Sequence, residues 1–141
     1  MTVSADRLLN ILLVEDDEVD VLNVRRAFQK NNIANPLFVA SNGLEALEQL
    51  RGHMIPRERR IVLLDLNMPR MNGIEFLREL RQDPELKLTP VVVLTTSNDE
   101  RDRIEAYNLN VAGYLLKPVT FSNFCEVMTA LNKYWALVEL P

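Results

Sequence analysis

Two kinds of hydrophobic pattern alternate along the chain. Short segments that are apolar at nearly every position occur at 11–14, 37–40, 61–64, 91–94 and 114–116. Continuous apolar runs of this length are typical of strands that are buried on both faces of a parallel sheet. Each run therefore predicts one β-strand.

The intervening segments have helical periodicity. Apolar residues recur every three or four positions over 21–28, 44–50, 74–80 and 124–135, and more weakly over 99–109. Residues that favour helix starts precede several of them, namely Asn42, Asn72 and Asp99. The alternation predicts an α/β protein of (βα)₅ form, a three-layer sandwich in which a parallel sheet has helices on both faces.

The 141 residues correspond to a single domain. We expect it to span residues 1–141, with an N-terminal tail over 1–8 and a C-terminal extension over 136–141. One connection, over residues 51–60, is longer than the usual αβ loop of about 2–6 residues. Its charged run, Arg57 to Arg60, is predicted to be a solvated loop.

Composition excludes several classes of site. The only cysteine is Cys125 and the only histidine is His53, so an internal disulfide and a Cys/His zinc cluster are excluded. A Ser/His/Asp or Cys/His triad would depend on His53 alone. Cys125 is predicted to be a buried hydrophobe on the last helix.

Charge and hydropathy exclude some classes of binding partner. The net charge of −4 opposes sequence-independent binding of nucleic acid. No apolar stretch is long enough to span a membrane, and the first ten residues lack a signal-peptide pattern. We expect a cytoplasmic protein that binds neither nucleic acid nor membrane.

Polar residues follow four of the predicted strands directly. These are Glu15 to Asp17, Asp65 to Asn67, Thr95 to Ser97, and Lys117 with Pro118. Ligands of parallel α/β sheets bind at the carboxyl ends of the strands. Carboxylates gathered there repel one another unless a cation neutralises them, and Mg²⁺ is a suitable one. With a lysine and a hydroxyl opposite, such a site can form a phosphoryl-transfer clamp in which a carboxylate is the nucleophile.

These segments, ILLVEDD, LLDLNMPRMNGIEFL, VVVLTTS and GYLLKP, resemble the response-regulator receiver domain of two-component signalling, which is CheY-like. The resemblance covers about residues 10–135 and depends on all four motifs in order. It implies a flavodoxin-like fold with sheet order 2-1-3-4-5.

The resemblance also implies a role for each site residue. Asp65 is expected to be the phosphoacceptor. Glu15, Asp16 and Asp65 are expected to hold Mg²⁺ together with the backbone carbonyl of Asn67. Thr95 and Tyr114 correspond to the switch residues, Lys117 to the lysine that pairs with the phosphoryl group, and Lys117–Pro118 to a cis peptide.

The long loop and the C-terminal sequence YWALVELP resemble a narrower group, the stand-alone receivers paired with phytochrome-type histidine kinases. This resemblance implies such a kinase as partner, and a homodimer. Apolar residues beyond the core stripe of the last helix form the candidate interface: Tyr134, Leu137, Val138 and Leu140.

Structural alternatives remain for several of these residues. Asp17 is best interpreted as a helix cap, and Glu15 and Asp16 could also serve as one. Thr95 could be an ordinary strand residue, Tyr114 a core aromatic and Lys117 a surface charge.

At the level of function, the leading hypothesis is a phosphorylation-controlled interaction switch. On this hypothesis we expect a protein that is not an enzyme, whose chemistry is limited to its own phosphorylation and dephosphorylation and which has no small-molecule substrate beyond the phosphodonor. One alternative is a scaffold with the receiver fold that acts without phosphorylation. Another is a Mg²⁺-dependent phosphatase with an aspartyl nucleophile, although Asn67 stands where such an enzyme would have an acid two residues after Asp65. Nucleotide binding is weaker still, because neither Gly-rich phosphate-binding motif occurs.

Overall fold

The structure, a computed structural model, describes residues 8–117 and 121–140, and in the last helix the side chains of residues 121, 122, 124 and 136 lie outside the description. Strands and helices alternate through the chain. The strands are β1 (Asn10–Val14), β2 (Leu37–Ala40), β3 (Arg60–Leu64), β4 (Val91–Thr95) and β5 (Gly113–Leu116). The helices are α1 (Glu18–Lys30), α2 (Gly43–Arg51), α3 (Gly73–Gln82), α4 (Glu100–Asn108) and α5 (Phe121–Leu137).

The five strands form one parallel sheet in the order β2-β1-β3-β4-β5. This confirms the predicted α/β class, strand order and flavodoxin-like arrangement. Because the chain adds strands first on one side of β1 and then on the other, a topological switch point lies between β1 and β3. The predicted strand and helix positions are each within a few residues of the observed bounds.

The sheet is buried on both faces because its strands alternate two apolar surfaces. Leu12 and Val14 belong to one core cluster, which α2, α3 and α4 cover, whereas Ile11 and Leu13 belong to the other, which includes residues of α1 and α5. All five residues of β1, of β3 and of β4 are buried. Both layers of helices therefore have a continuous apolar surface to pack against.

The helices begin where the sequence places polar caps. Side chains of Asp17, Asn42, Asn72 and Asp99 accept hydrogen bonds from backbone N–H groups in the first turns of α1 to α4. At α3 the cap is reciprocal, since Glu75 also accepts a hydrogen bond from the Asn72 backbone. Each cap satisfies donors that the helix itself cannot.

The expectation of a wholly solvated loop before β3 is wrong for Arg60. Arg60 is 7% exposed, and its guanidinium donates to the backbone carbonyls of Leu50, Ile55 and Pro56. Burial lowers the pKa of this guanidinium. A planar group with five donors can satisfy several carbonyls of an irregular segment at once, which explains how this loop is held.

Arg59 fastens the same loop to the end of the last helix. Its guanidinium donates to the carbonyls of Trp135 and Val138.

Cys125 is buried, as predicted. Among the described residues, no helix is long and apolar enough to cross a membrane.

Candidate functional site

The β1–β3 register brings the first two acidic segments together. Val14 pairs with Leu64, and the Asp65 N–H donates to the Val14 carbonyl at 3.0 Å. Glu15 and Asp65 thus leave adjacent strands at the same level. Side-chain oxygens of Glu15, Asp16 and Asp65 all lie within 4.8 Å of one another.

Burial distinguishes the three carboxylates. Glu15 and Asp65 are 4% and 7% exposed, whereas Asp16 faces solvent. Three anionic oxygen donors of this kind suit a hard divalent cation that retains part of its water shell. The structure gives the Asn67 backbone N–H as a donor to Asp65 Oδ1 at 3.2 Å, while the expected role of the Asn67 carbonyl stays a prediction.

Lys117 comes to the same place from the end of β5. Its Nζ donates to Glu15 Oε2 at 2.5 Å and lies 3.9 Å from Asp65 Oδ2. The side chain is 12% exposed, so these charges interact in partly dehydrated surroundings. The Lys117–Pro118 peptide, predicted to be cis, lies outside the described residues.

A second partner of Lys117 was not predicted. Asp20, in the first turn of α1, accepts a hydrogen bond from Lys117 Nζ at 2.8 Å. Three residues after the cap residue Asp17, Asp20 has the spacing of a capping-box acid, so sequence reasoning would have assigned it to the helix end. Only the return of β5 to this edge reveals its partner.

These contacts shift two pKa values. Burial raises the pKa of the Glu15 carboxyl to about 7, and the Asp65 charge acts in the same direction. Hydrogen bonds from Lys117 and the Asp17 backbone oppose this without cancelling it. Burial alone would lower the pKa of the Lys117 ammonium, but the hydrogen bonds to Asp20 and Glu15 raise it on balance.

Thr95 is fully buried at the end of β4. Its hydroxyl oxygen accepts a hydrogen bond from the Ser97 N–H at 3.2 Å. The hydroxyl is therefore engaged with its own loop. The next residue, Thr96, is exposed and accepts a hydrogen bond from the Asn67 side chain at 3.2 Å, which joins the β3–α3 and β4–α4 loops.

Ser97 connects the β4–α4 loop to Tyr114. The Tyr114 hydroxyl donates to the Ser97 carbonyl at 3.0 Å, and the Ser97 hydroxyl donates to Asp102 at 2.6 Å. Tyr114 is partly buried against the core cluster below α3 and α4, and burial raises the pKa of its phenol. Sequence reasoning placed Ser97 only among the polar residues after the fourth strand, because its contact with Tyr114, 17 positions away, depends on the tertiary structure.

The β3–α3 loop that carries Asp65 is held by close backbone packing. A Cβ atom at Gly73 would lie 2.6 Å from Leu66 Cα and 2.7 Å from the Asp65 carbonyl oxygen. The Gly73 N–H also donates to the Leu66 carbonyl at 3.0 Å. On the other side, the Gly43 N–H at the start of α2 donates to the Met71 carbonyl at 3.0 Å. Two helix starts therefore fix this loop.

The flavodoxin-like sheet, with carboxylates and a lysine gathered at its switch point, has the features expected of a receiver domain. The chain matches the response regulator receiver domain family over residues 11–129 and belongs to that family. The resemblance inferred from the sequence is thereby confirmed.

Similar proteins include other response regulators, one of which is a phytochrome response regulator. Response regulator Rcp1 of Synechocystis sp. (strain ATCC 27184 / PCC 6803 / Kazusa) is 38% identical over 135 residues, which are 93% of this chain and 92% of Rcp1. The crystal structure of phosphorylated RcpA, a cyanobacterial phytochrome response regulator, has a TM-score of 0.80 at 33% identity, covering 95% of this chain and 99% of RcpA. The Mn²⁺-bound form of Rcp1 has a TM-score of 0.78 at 36% identity, covering 94% and 99%.

Proposed function

We propose that this receiver is a phosphorylation-controlled interaction switch, with Asp65 as the phosphoacceptor and a histidine kinase as the phosphodonor. The observation that carries the proposal is the meeting of Glu15, Asp16 and Asp65 within 4.8 Å, with Lys117 Nζ 3.9 Å from Asp65 Oδ2. Lys117 is largely buried among these carboxylates at the strand ends, where its ammonium can neutralise charge on a phosphoryl group at Asp65.

In the proposed reaction a carboxylate oxygen of Asp65 attacks the phosphorus of a phosphohistidine. A P–O bond to Asp65 forms while the P–N bond breaks, and the electron pair of that bond stays on the imidazole nitrogen. Lys117 donates a hydrogen bond to an oxygen of the transferred group, because its ammonium already faces Asp65. The Asn67 N–H orients the Asp65 carboxylate by its hydrogen bond to Oδ1.

Glu15, Asp16, Asp65 and the backbone carbonyl of Asn67 would hold a Mg²⁺ ion. The donor set suits this ion because it consists of oxygens with at least one member open to solvent. When bound, the ion neutralises charge that develops on the phosphoryl oxygens. The Mn²⁺-bound structure of the similar protein Rcp1 supports a divalent cation here.

Transmission would begin at Thr95. We propose that its hydroxyl turns to donate a hydrogen bond to a phosphoryl oxygen and gives up the hydrogen bond that it accepts from the Ser97 N–H, which alters the loop to which Tyr114 is bonded. Phosphorylation then changes the population of surface conformations on β4, α4 and β5. The similarity to phytochrome response regulators favours a phytochrome-type histidine kinase as the donor.

We also propose that this receiver binds a second copy of the same chain. Tyr134 and Leu137 are 56% and 81% exposed at the end of α5. The other candidate interface residues, Val138 and Leu140, are half-buried, and Leu140 packs against the core of its own chain. The exposed apolar surface for a homodimer is thus centred on Tyr134 and Leu137.

The deciding experiment is the intact mass of the protein after incubation with acetyl phosphate. We expect one phosphoryl adduct in Mg²⁺, none in EDTA and none in Asp65→Asn. Asp83→Asn, the same chemical change just beyond the far end of α3, should still form the adduct. If the folded wild-type protein forms no adduct in Mg²⁺, the switch is excluded and the phosphorylation-independent scaffold becomes the better hypothesis.

A further inference from the structure

The Lys117 ammonium is held from two sides. Glu15, at the end of β1, accepts one hydrogen bond and Asp20, on α1, accepts another at 2.8 Å. An ammonium group has three donors on a flexible stem. Two fixed carboxylates remove most of the freedom that a long side chain would otherwise have.

Asp20 is available for this contact because its helix is capped by other groups. Asp17 Oδ1 accepts hydrogen bonds from the N–H groups of Val19 and Asp20. The Asp17 N–H, which Asp20 could accept in a capping box, is already bonded to Glu15 Oε1 at 3.0 Å. The Asp20 carboxylate is therefore directed to Lys117, and its side chain is 35% exposed.

The third donor of Lys117 remains for the region beside Asp65. The distance of 3.9 Å from Nζ to Asp65 Oδ2 is too long for a hydrogen bond. A phosphoryl group on Asp65 would extend its oxygens beyond the carboxylate, so that one of them could reach Lys117 without a large movement of the lysine. This is preorganisation of a donor toward the place where charge develops.

We propose that Asp20 is a positioning residue that holds the Lys117 ammonium ready to receive the phosphoryl group at Asp65. The inference rests on the proposed phosphoacceptor function. Glu15 is also a candidate cation ligand. An oxygen of Glu15 that binds a cation no longer accepts a hydrogen bond from Lys117. Asp20 lies outside the three-carboxylate cluster and keeps its contact with the lysine, so its contribution is greatest when the reaction takes place.

The first test is the rate of phosphorylation by acetyl phosphate in Mg²⁺. We expect Asp20→Asn to react roughly tenfold more slowly than the wild-type protein, because it loses one charge-assisted hydrogen bond. Asp20→Glu, which keeps the charge, should recover part of the rate. Glu18→Gln removes the same charge from the same helical turn and should react within about twofold of wild type.

The second test needs neither a cation nor a phosphodonor. Amine acetylation of the intact protein is followed at Lys117 by peptide mass spectrometry, with Lys30, Lys87 and Lys133 as internal references. Lys117 should react several-fold faster in Asp20→Asn than in the wild-type protein or in Glu18→Gln, while the reference lysines keep their rates.

These two measurements separate the proposals. Phosphorylation of Asp20→Asn within twofold of wild type overturns the positioning role, whatever the acetylation rates are. If the wild-type protein takes no phosphoryl group, the proposed function fails and acetylation decides alone. An unchanged Lys117 rate in Asp20→Asn then also excludes Asp20 as the residue that holds the lysine.

Discussion

Glu15 is the residue at which burial and charge oppose each other most directly. It lies beside Asp65 at the end of a fully buried strand, and among the described residues only Lys117 and the Asp17 backbone N–H favour its ionised form. A carboxyl group in such a place is close to balance between its two protonation states near neutral pH. Its environment can therefore be tested without any knowledge of the partner.

We predict that Glu15 makes the stability of the protein fall as pH rises. Its pKa is raised from 4.5 to about 7 in the folded state, so between these values the folded protein binds more protons than the unfolded chain. The contribution is fully present below the unfolded value and is lost as pH rises through the folded value. In EDTA, the free energy of unfolding should fall on the order of 1 kcal/mol between about pH 5.5 and about pH 8.

Urea unfolding at the two pH values measures this dependence. Glu15→Gln, which cannot titrate, should lose most of the fall. An equal fall in Glu15→Gln would assign the dependence to other groups, and a rise in the wild-type protein would contradict the raised pKa.

At Thr95 we predict that phosphorylation and signalling can be separated. Thr95→Ala removes the hydroxyl but leaves the carboxylates and Lys117 in place, so the phosphoryl adduct should still form. The change in the Tyr114 ring signals on phosphorylation, observed by NMR, should shrink to about half or less. Thr129→Ala, the same change at a hydroxyl that donates to the Cys125 carbonyl within α5, is the control and should keep the full change. A normal Tyr114 response in Thr95→Ala would exclude the switch role.

At the scale of secondary structure elements, the site depends on how closely helix starts approach the β3–α3 loop. Gly73 has no special dihedral requirement, since no described glycine has a positive φ. Glycine is required here for lack of space, because backbone atoms of Asp65 and Leu66 lie where a side chain at position 73 would have its Cβ atom. Backbone cannot move aside as the end of a flexible side chain can.

Gly73→Ala is accordingly predicted to destabilise the protein by about 1–3 kcal/mol and to slow phosphorylation at Asp65. Gly113→Ala is the matched control, since its Cβ would meet only Val92 Cγ1 at 3.9 Å. Thermal or urea unfolding and the acetyl phosphate assay measure the two effects. Equal stabilities of the two variants would show that the loop yields to the added methyl group.

The elements themselves were largely predictable. The caps Asp17, Asn42, Asn72 and Asp99 are local signals, and the apolar runs of the strands report burial on both faces. The wrong interpretation was Arg60, which continues a charged run in sequence but begins β3 in the structure. The backbone carbonyls that Arg60 binds are brought to it by the path of the loop, which cannot be predicted from the pattern of charges.

At the scale of the whole molecule, the two ends of the sheet have different structural roles. The carboxyl ends of the strands gather the candidate phosphorylation site. At the opposite end, Arg59 and Arg60 hold the long loop, and Arg59 joins it to the end of α5. The α5 terminus is thus a fixed part of the fold, and its exposed residues can present a defined surface to a second copy.

We predict that Leu137→Glu weakens self-association. Leu137 is 81% exposed, so a charge there should leave the fold intact while it opposes burial in an interface. Leu44→Glu on α2, where the leucine is 47% exposed, is the control. Sedimentation velocity over a range of protein concentrations should show a lower association constant for Leu137→Glu alone. An unchanged constant would remove the end of α5 from the proposed interface.

A point variant is preferable to a chain that ends at Lys133. Such a truncation would also remove Trp135, which packs against the core, and the carbonyls that Arg59 binds. Loss of association would then report damage to the fold as readily as loss of an interface.

The sequence by itself determined the α/β class, the order of elements, and the residues at the carboxyl ends of the strands, because burial periodicity and helix caps are local properties. Through four motifs, it also indicated the receiver family. The tertiary structure alone decided which of these residues meet. Asp20 and Lys117 are 97 positions apart, and Tyr114 and Ser97 are 17 apart. Their contacts arise from sheet register and from the return of β5 to the site, which depend on packing of the whole chain.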